Sequence, residues 1–300
     1  MALNGTESEY FSPYRSDGKL FGFVCVVTGA DGPIGQAIVA ELAAHGAACI
    51  YACSPSTSSP PNNLPKQHPN TQVISYPYTI TSESDTLALI DEALNTYGRL
   101  DVWVTSSGLL GPPSIADTTP SDLQKCFEAN SLAPFFALKY APAAMTKTTP
   151  TNQKLNYPNA APKDQTYGSI IVVTSTASTY GGCWGPCFTM TSHAALGVVR
   201  SGVPVLKGSG IRINAISPGS IDLGSINLGD LRGMNDQLPP SRLQSEETHR
   251  ANIGLERTGR TEEVARVAGF LASGFSSYVT GANMVVDGGA SVMCPLMVPM

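Results

Sequence analysis

Charge is what this sequence has least of. Only 14% of its 300 residues are Asp, Glu, Lys or Arg, against about 25% in an average soluble domain, and no cluster of Lys or Arg relieves that scarcity. With a formal net charge of −5 and a pI near 5.4, the chain lacks the electrostatic footprint that binds nucleic acid or an anionic membrane surface. Neither partner is expected. Long apolar runs are missing as well: none approaches the ~18 residues of a membrane span, and the start, MALNGTESEYF, has no basic segment followed by an apolar stretch. The expectation is a cytoplasmic protein, in which the Asn4-Gly5-Thr6 sequon carries no meaning. Paired cysteines are absent too. The seven cysteines (25, 49, 53, 126, 183, 187 and 294) include no Cys-x-x-Cys, and cytosolic thiols stay reduced. Cys183 and Cys187 are the nearest neighbours, but they lack the second pair or partnered His of a metal centre, so no metal is expected.

Glycine and proline are abundant, with 29 Gly and 23 Pro, above their average joint usage of about 12%. They punctuate a regular alternation. Residues 1–20 are polar and read as a loosely held arm, with order expected from Phe21. The apolar, β-branched FGFVCVV has the length of a buried strand and breaks at TGADGPIG into a segment with helical spacing at Ile34, Ile38, Ala40 and Leu42. A strand follows at 48–53, then a Pro/Ser loop, a strand near 72–76, a helix over 83–97 and the strand LDVWVTS. Residues 121–145 read as one long helix capped by Ser121. After a low-complexity insert, 146–167, come the strand SIIVVT, a helix over 189–204 that Pro204 bends or ends, and the strand IRINAIS. A Gly/Pro-rich stretch, 220–251, precedes a helix over 261–273 and a last strand, NMVVD. About seven strands alternating with helices predict a single α/β domain over 21–291, a doubly wound, Rossmann-like parallel sheet covered on both faces, with a short tail at 292–300.

These residues carry a resemblance to the short-chain dehydrogenase/reductase family. The family's Thr-Gly-x-x-x-Gly-x-Gly corresponds to Thr28-Gly29-Ala30-Asp31-Gly32-Pro33-Ile34-Gly35, Gly108 resembles the end of its Asn-Asn-Ala-Gly, and Asn130 and Ser175 fall where the family has its helix asparagine and strand serine. Asn214, Pro218 and Gly219 match Asn-x-x-x-Pro-Gly, and RTGRTEEVARVAGFLASGFSSYVTGANMVVDGG resembles the C-terminal signature. The order of these features is more specific than any one of them. What the resemblance implies is a nicotinamide dinucleotide held by Gly29, Asp31, Gly32, Ile34, Gly35, Cys53, Ser54, Ser56, Thr79, Ser106, Gly108, His193, Pro218, Gly219 and Ile221. Glycines let the backbone approach a pyrophosphate at a helix N-terminus. Cys53 stands where an acid would select NAD, and the hydroxyls of Ser54, Ser56 and Thr57 favour NADP(H). Thr79 replaces the aspartate at the adenine, and Thr105 and Ser106 replace the two asparagines.

The reaction centre departs furthest. TMTSHAAL resembles the family's Tyr-x-x-x-Lys-Ala-Ala-Leu, which puts Thr189 at the tyrosine and His193 at the lysine, while a one-residue slip offers Phe188. Neither Thr nor Phe is an acid near neutral pH, and a missing general acid costs about 10²- to 10⁴-fold in rate. His193 is the best replacement, since imidazole titrates near neutrality; Tyr180 is a second phenol near the site or an aromatic wall, and Asp222 a loop carboxylate. Ser175 retains its hydrogen bond to a substrate oxygen, and Asn130 either serves the site or fixes its helix locally. Cys183, Trp184, Cys187 and Phe188 suggest an apolar pocket, and 220–251, with Met234 and Leu238, a substrate lid. The insert 146–167 enters a strand from its N-terminal end and is expected on the face away from the site. Three functions stay open: an NADP(H)-dependent oxidoreductase acting on C=N, activated C=C or C=O of a bulky, mostly apolar small molecule with a non-standard proton donor; a non-redox isomerase, cyclase or dehydratase; and a catalytically silent binding protein. The resemblance also implies a homodimer or homotetramer.

Overall fold

The structure is a computed structural model that describes residues 18–55, 64–112, 114–149, 160–181, 185–223 and 246–293. Strands and helices alternate as β1 (Val24–Thr28), α1 (Pro33–Ala44), β2 (Cys49–Ser54), the single turn α2 (Leu64–Gln67), β3 (Gln72–Pro77), α3 (Glu83–Tyr97) and β4 (Val102–Thr105). They continue as α4 (Pro120–Phe127), α5 (Ala133–Met145), β5 (Gly168–Val173), α6 (Pro186–Val205), β6 (Ile211–Pro218), β7 (Ile221–Asp222), α7 (Glu246–Asn252), β8 (Gly259–Arg260), α8 (Thr261–Ala272) and β9 (Asn283–Val286). Seven strands form one sheet in the order β3-β2-β1-β4-β5-β6-β9, every pairing parallel. This is the expected Rossmann-like sheet. The chain builds outward from β1 to β3, then returns to β4 and builds the other way, so a crevice opens between β1 and β4 at their C-terminal ends. Ligands of such sheets bind at that reversal.

The pleat divides the core. Val24 and Val26 of β1 face one way and join Cys49, Tyr51, Trp103, Ile170 and residues of α3, α5 and α6. Cys25 and Val27 face the other way and join Ile50, Val104, Ile171 and residues of α1 and α8. Burial on both faces explains the near-continuous apolar strands, since alternating polarity would put half of each strand's side chains into the wrong layer.

Three local expectations change. The segment predicted as one helix over 121–145 is capped by Thr119, not Ser121: the Thr119 hydroxyl accepts from the Asp122 amide, and Asp122 accepts from the Thr119 amide in return. It is also broken into α4 and α5 by a π-helical turn at Glu128–Leu132, a local widening often found at functional sites. The arm is anchored at its end. Leu20 is fully buried and its amide donates to the His45 carbonyl at 2.8 Å, because the apolar side chain completes the α1 layer. Finally, α6 starts at Pro186, which suits a first helical position, and reaches Val205 with Pro204 in its last turn.

The N-terminal ends of the strands hold a buried ionic cluster. Asp101, just before β4, takes Arg99 Nε at 2.8 Å and the Val24 amide at 2.8 Å on Oδ2, and Arg99 Nη2 at 3.0 Å on Oδ1. Lys163 Nζ approaches the same carboxylate at 3.1 Å and donates to the carbonyls of Leu100 and Tyr167 at 2.9 and 2.8 Å. Arg99 also donates to the Tyr167 hydroxyl and the Ala161 carbonyl. Burial pushes the Asp101 carboxyl up, but Lys163 and Arg99 outweigh it and hold it below its ordinary range. Through Ala161 and Lys163, the described end of the insert is pinned to this edge.

Candidate active site

The crevice begins at the turn after β1. Gly29 has φ 71°, and a side chain there would strike the Ser106–Ser107 backbone at 2.7 Å. Gly35 packs its α-carbon so tightly on the turn that a Cβ would lie 2.1 Å from the Gly29 carbonyl oxygen. Packing therefore demands these two glycines. It does not demand Gly32 or Gly108, where an added Cβ meets nothing nearer than 3.5 and 3.7 Å. The N-terminus of α1 begins at Pro33 with Gly32 as its cap, and neither a capping side chain nor an acidic residue occupies its first turn. Its amides and its positive dipole end are left for an anion. Asp31 is exposed, with its carbonyl taken by Gln36 Nε2 at 2.9 Å, and Ile34 is half-buried against the α1 layer. Beside this turn the buried hydroxyls of Thr28, Thr105, Ser106 and Ser107 have no hydrogen-bond partner. Buried polar atoms are nearly always paired, so orphaned hydroxyls beside an open glycine ledge fit a bound polar ligand such as a dinucleotide.

At the end of β2, Cys53 corrects the sequence reading. Its thiol is buried in the α3 layer and points at the Tyr51 carbonyl, 3.5 Å away, and burial pushes it well above the ordinary thiol range. Strand alternation turns the side chain into the core, so only its backbone borders the crevice, the carbonyl accepting from the Ala30 amide at 3.1 Å. Ser54 is the next residue and is buried; Ser56 and Thr57 lie outside the described residues. Thr79 is exposed, and its amide donates to Asp85 Oδ2 at 2.9 Å, so the carboxylate in this region serves the N-terminus of α3. On the far side, Pro218 ends β6, the Gly219 amide donates to the Val286 carbonyl at 3.0 Å, and Ile221 pairs with Gly259. Gly219 is needed because a Cβ would lie 2.6 Å from Asp287 Cβ. Asp222 is exposed.

The candidate reaction centre lies where β5 ends and α6 begins. Ser175 is 8% exposed, with extended backbone, and its Oγ accepts from the Ala177 amide at 3.1 Å, which leaves the hydroxyl proton free to donate. Asn130, within the π-turn, is fully engaged. Its Oδ1 accepts from the Leu109 amide at 2.6 Å, while Nδ2 donates to the Leu109 carbonyl and to Thr191 Oγ1, both at 2.8 Å. It therefore ties the loop after β4 to α6 and is a positioning residue. Thr191 passes the link on by donating to the Cys187 carbonyl at 2.8 Å. His193 is exposed and its Nδ1 lies 2.9 Å from the Thr189 carbonyl oxygen. A carbonyl only accepts, so Nδ1 carries hydrogen and Nε2 is the acceptor nitrogen of the neutral ring. Thr189 is half-buried and Tyr180 is 40% exposed.

Cys187 does not line the pocket as the sequence suggested: it is fully buried, because the first turn of α6 presses this side against α4. Phe188 is half-buried, while Cys183, Trp184 and the lid residues 224–245, with Met234 and Leu238, lie outside the described residues, as does the tail 294–300. Sequence reasoning missed Thr191, Thr28 and Ser107. The first hides in a helix among other hydroxyls, and the last two show their importance only as hydroxyls without partners. Among the described residues no cluster of His, Cys, Asp or Glu could hold a metal, and no helix is long and apolar enough to cross a membrane.

Comparison with known proteins gives this geometry a lineage. Residues 29–291 match the family described as enoyl-(acyl carrier protein) reductase. The chain is 30% identical to (+)-borneol dehydrogenase 2 of Salvia officinalis, covering 93% of this chain and 92% of that one. It is 28% identical to momilactone A synthase of Oryza sativa subsp. japonica, over 92% of each. A solved 7α-hydroxysteroid dehydrogenase, complexed with NADH and a 7-oxo bile acid, superposes with a TM-score of 0.73 at 25% identity, covering 92% of this chain and 97% of that one. With a parallel sheet reversing at a glycine turn, a serine at the end of β5 and a family match over nearly the whole domain, the chain belongs to the short-chain dehydrogenase/reductases.

Proposed function

We propose that this protein is an NADP(H)-dependent oxidoreductase acting on a bulky, mostly apolar small molecule, with His193 in place of the usual phenolic proton donor. The observation that carries the reading is the open ledge at Gly32 and Gly108, beside an uncapped α1 N-terminus and four unpartnered hydroxyls. When bound there, the nicotinamide supplies or accepts a hydride. Gly29, Ile34 and Gly35 would hold the pyrophosphate through backbone amides, with Ser106 and Thr105 beside it, while the Gly32 amide closes the turn onto the Gly29 carbonyl. The β2 end carries no acid, so a 2′-phosphate meets no like charge, and Ser54 and the following hydroxyls can hydrogen-bond to it.

Ser175 holds the reacting oxygen or nitrogen of the substrate through its free hydroxyl proton. The His193 ring, fixed through Nδ1 to Thr189, holds or receives a proton at Nε2, and its exposure lets it exchange that proton with water. Asn130 and Thr191 keep the loop after β4 and α6 at a fixed separation. The half-buried Phe188 and the exposed Tyr180 and Met190 offer apolar surface, and one relative is named as a dehydrogenase of borneol, an apolar alcohol. Exposed Phe127 and Phe135 on α4 and α5 support a homodimer or homotetramer, which analytical ultracentrifugation tests.

The decisive experiment mixes the protein with NADPH and apolar carbonyl, enone and iminium compounds while following both the absorbance of reduced nicotinamide and the product. Falling absorbance with stoichiometric product supports the proposal, and NADPH is expected to bind at least roughly tenfold tighter than NADH, about 1.4 kcal/mol. Product with cofactor unchanged would replace it with an isomerase, cyclase or dehydratase. Ligand binding without turnover would leave a binding protein.

A further inference from the structure

Five cysteines fall among the described residues and all are buried. Three belong to the sheet, where Cys49 and Cys53 face one core layer and Cys25 the other. Cys126 and Cys187 are different. They come from separate helices, α4 and α6, and meet over Gly111, whose φ of 72° and missing side chain leave space against both sulfurs: a Cβ there would lie 2.7 Å from Cys126 Sγ and 3.6 Å from Cys187 Sγ. The two sulfurs therefore flank the same small gap. Burial, and after it the Cys187 sulfur, pushes the Cys126 thiol up to about 11. Each cysteine also stands four residues, one helical turn, before a partner in the bond between Asn130 Nδ2 and Thr191 Oγ1 at 2.8 Å. The thiol pair and this hydrogen bond therefore join the same two segments beside the candidate active site.

We propose that Cys126 and Cys187 form a redox-modification site, in which hydrogen peroxide converts the adjacent thiols to a disulfide that ties α4 to the first turn of α6. Peroxide oxidises the Cys187 sulfur to a sulfenic acid, its O–O bond breaking and one water leaving. The Cys126 sulfur then attacks the sulfenic sulfur: the S–S bond forms, the S–O bond breaks, and the displaced hydroxide leaves as a second water with the Cys126 proton. Two electrons pass from the thiols to the peroxide. A dithiol reductant reverses the change. The bridge closes a loop of about 60 residues, which removes freedom from the unfolded chain, and it holds the Asn130–Thr191 joint in one arrangement. Nothing in this site depends on the nicotinamide reading, so either can fail without the other.

The test exposes the full-length native chain to hydrogen peroxide, blocks remaining thiols by alkylation and maps peptides without reduction. A Cys126–Cys187 linked peptide is expected, removed by dithiothreitol and accompanied by a rise in Tm of roughly 5 °C or more. Cys126→Ser and Cys187→Ser should each abolish both signals, while Cys49→Ser keeps them. Three outcomes overturn the proposal: Cys187 linked to Cys183 or to a second chain, Cys187 driven to sulfinic or sulfonic acid with Cys126 still free, or both thiols untouched at a peroxide dose that oxidises them in the urea-unfolded chain.

Discussion

At the N-terminal ends of the strands, Arg99, Asp101 and Lys163 are buried together, and each oxygen of the Asp101 carboxylate meets two donors, drawn from Arg99, Lys163 and the Val24 amide. Around Ser175 and His193, at the opposite ends of the same strands, the candidate site groups are hydroxyls, one carboxamide and one exposed imidazole. The difference follows from what each end must do. A buried charge is tolerated only when fully paired, so the ionic end is saturated and can take no ligand. A binding site needs unsatisfied groups before its ligand arrives, and the unpartnered hydroxyls of Thr28, Thr105, Ser106 and Ser107 lie at that end. In a chain so poor in charge, ionised residues serve architecture at one edge while neutral donors serve the crevice.

Breaking the saturated end should have the largest effect on folding. Asp101→Asn leaves Arg99 and Lys163 buried without their counter-charge and is expected to lower stability by about 3–5 kcal/mol, seen as a much earlier denaturant midpoint. Were the loss under 1 kcal/mol, the cluster would not be the anchor described. The open end should respond in rate instead of stability: His193→Ala is expected to lower kcat by roughly 100-fold or more, with the unfolding midpoint little changed. An unaltered kcat would remove His193 from the reaction.

Acid sharpens the same contrast. Lys163 and Arg99 hold the folded Asp101 carboxyl below its ordinary range against the opposing effect of burial, so its contribution is present above the unfolded value of about 3.9. It is lost as pH falls from there through the folded value. The stability gap between wild type and Asp101→Asn should therefore narrow below about pH 4, as urea titrations at stepped pH would record. Between the two ends sits the Asn130 joint. Thr191→Val strands an Asn130 N–H and should lower stability by about 1–3 kcal/mol, with Thr191→Ser restoring it. The smallest effect belongs to Cys53→Ala, expected to change NADPH affinity less than twofold because the thiol faces the core, at a stability loss of about 1 kcal/mol. A large loss of affinity would return Cys53 to the cofactor site.

Much of this was legible beforehand. Apolar β-branched runs separated by helical spacing specified a parallel sheet, since only strands buried on both faces lack polar alternation, and α3 runs over the predicted residues, 83–97. The capping of α4 was misjudged because Thr119 and Ser121 are both competent caps, and only the reciprocal bond with Asp122 decides between them. Cys53 was misassigned since the end of a strand offers two faces, and one residue of register separates the crevice from the core. Cys126 and Cys187 stand far apart in the chain, so no spacing rule joins them.

By itself, the sequence determined the layer architecture and the position of the glycine turn, because periodicity and residue chemistry are local properties of a chain. Tertiary structure alone decided which groups are satisfied and which are left open: that Asn130 is wholly engaged, that His193 presents Nε2, that Lys163 reaches Asp101, and that two thiols meet over Gly111. Hydrogen-bond saturation and burial depend on neighbours brought together from distant segments, and they separate the residues that hold this fold from those free to meet a ligand.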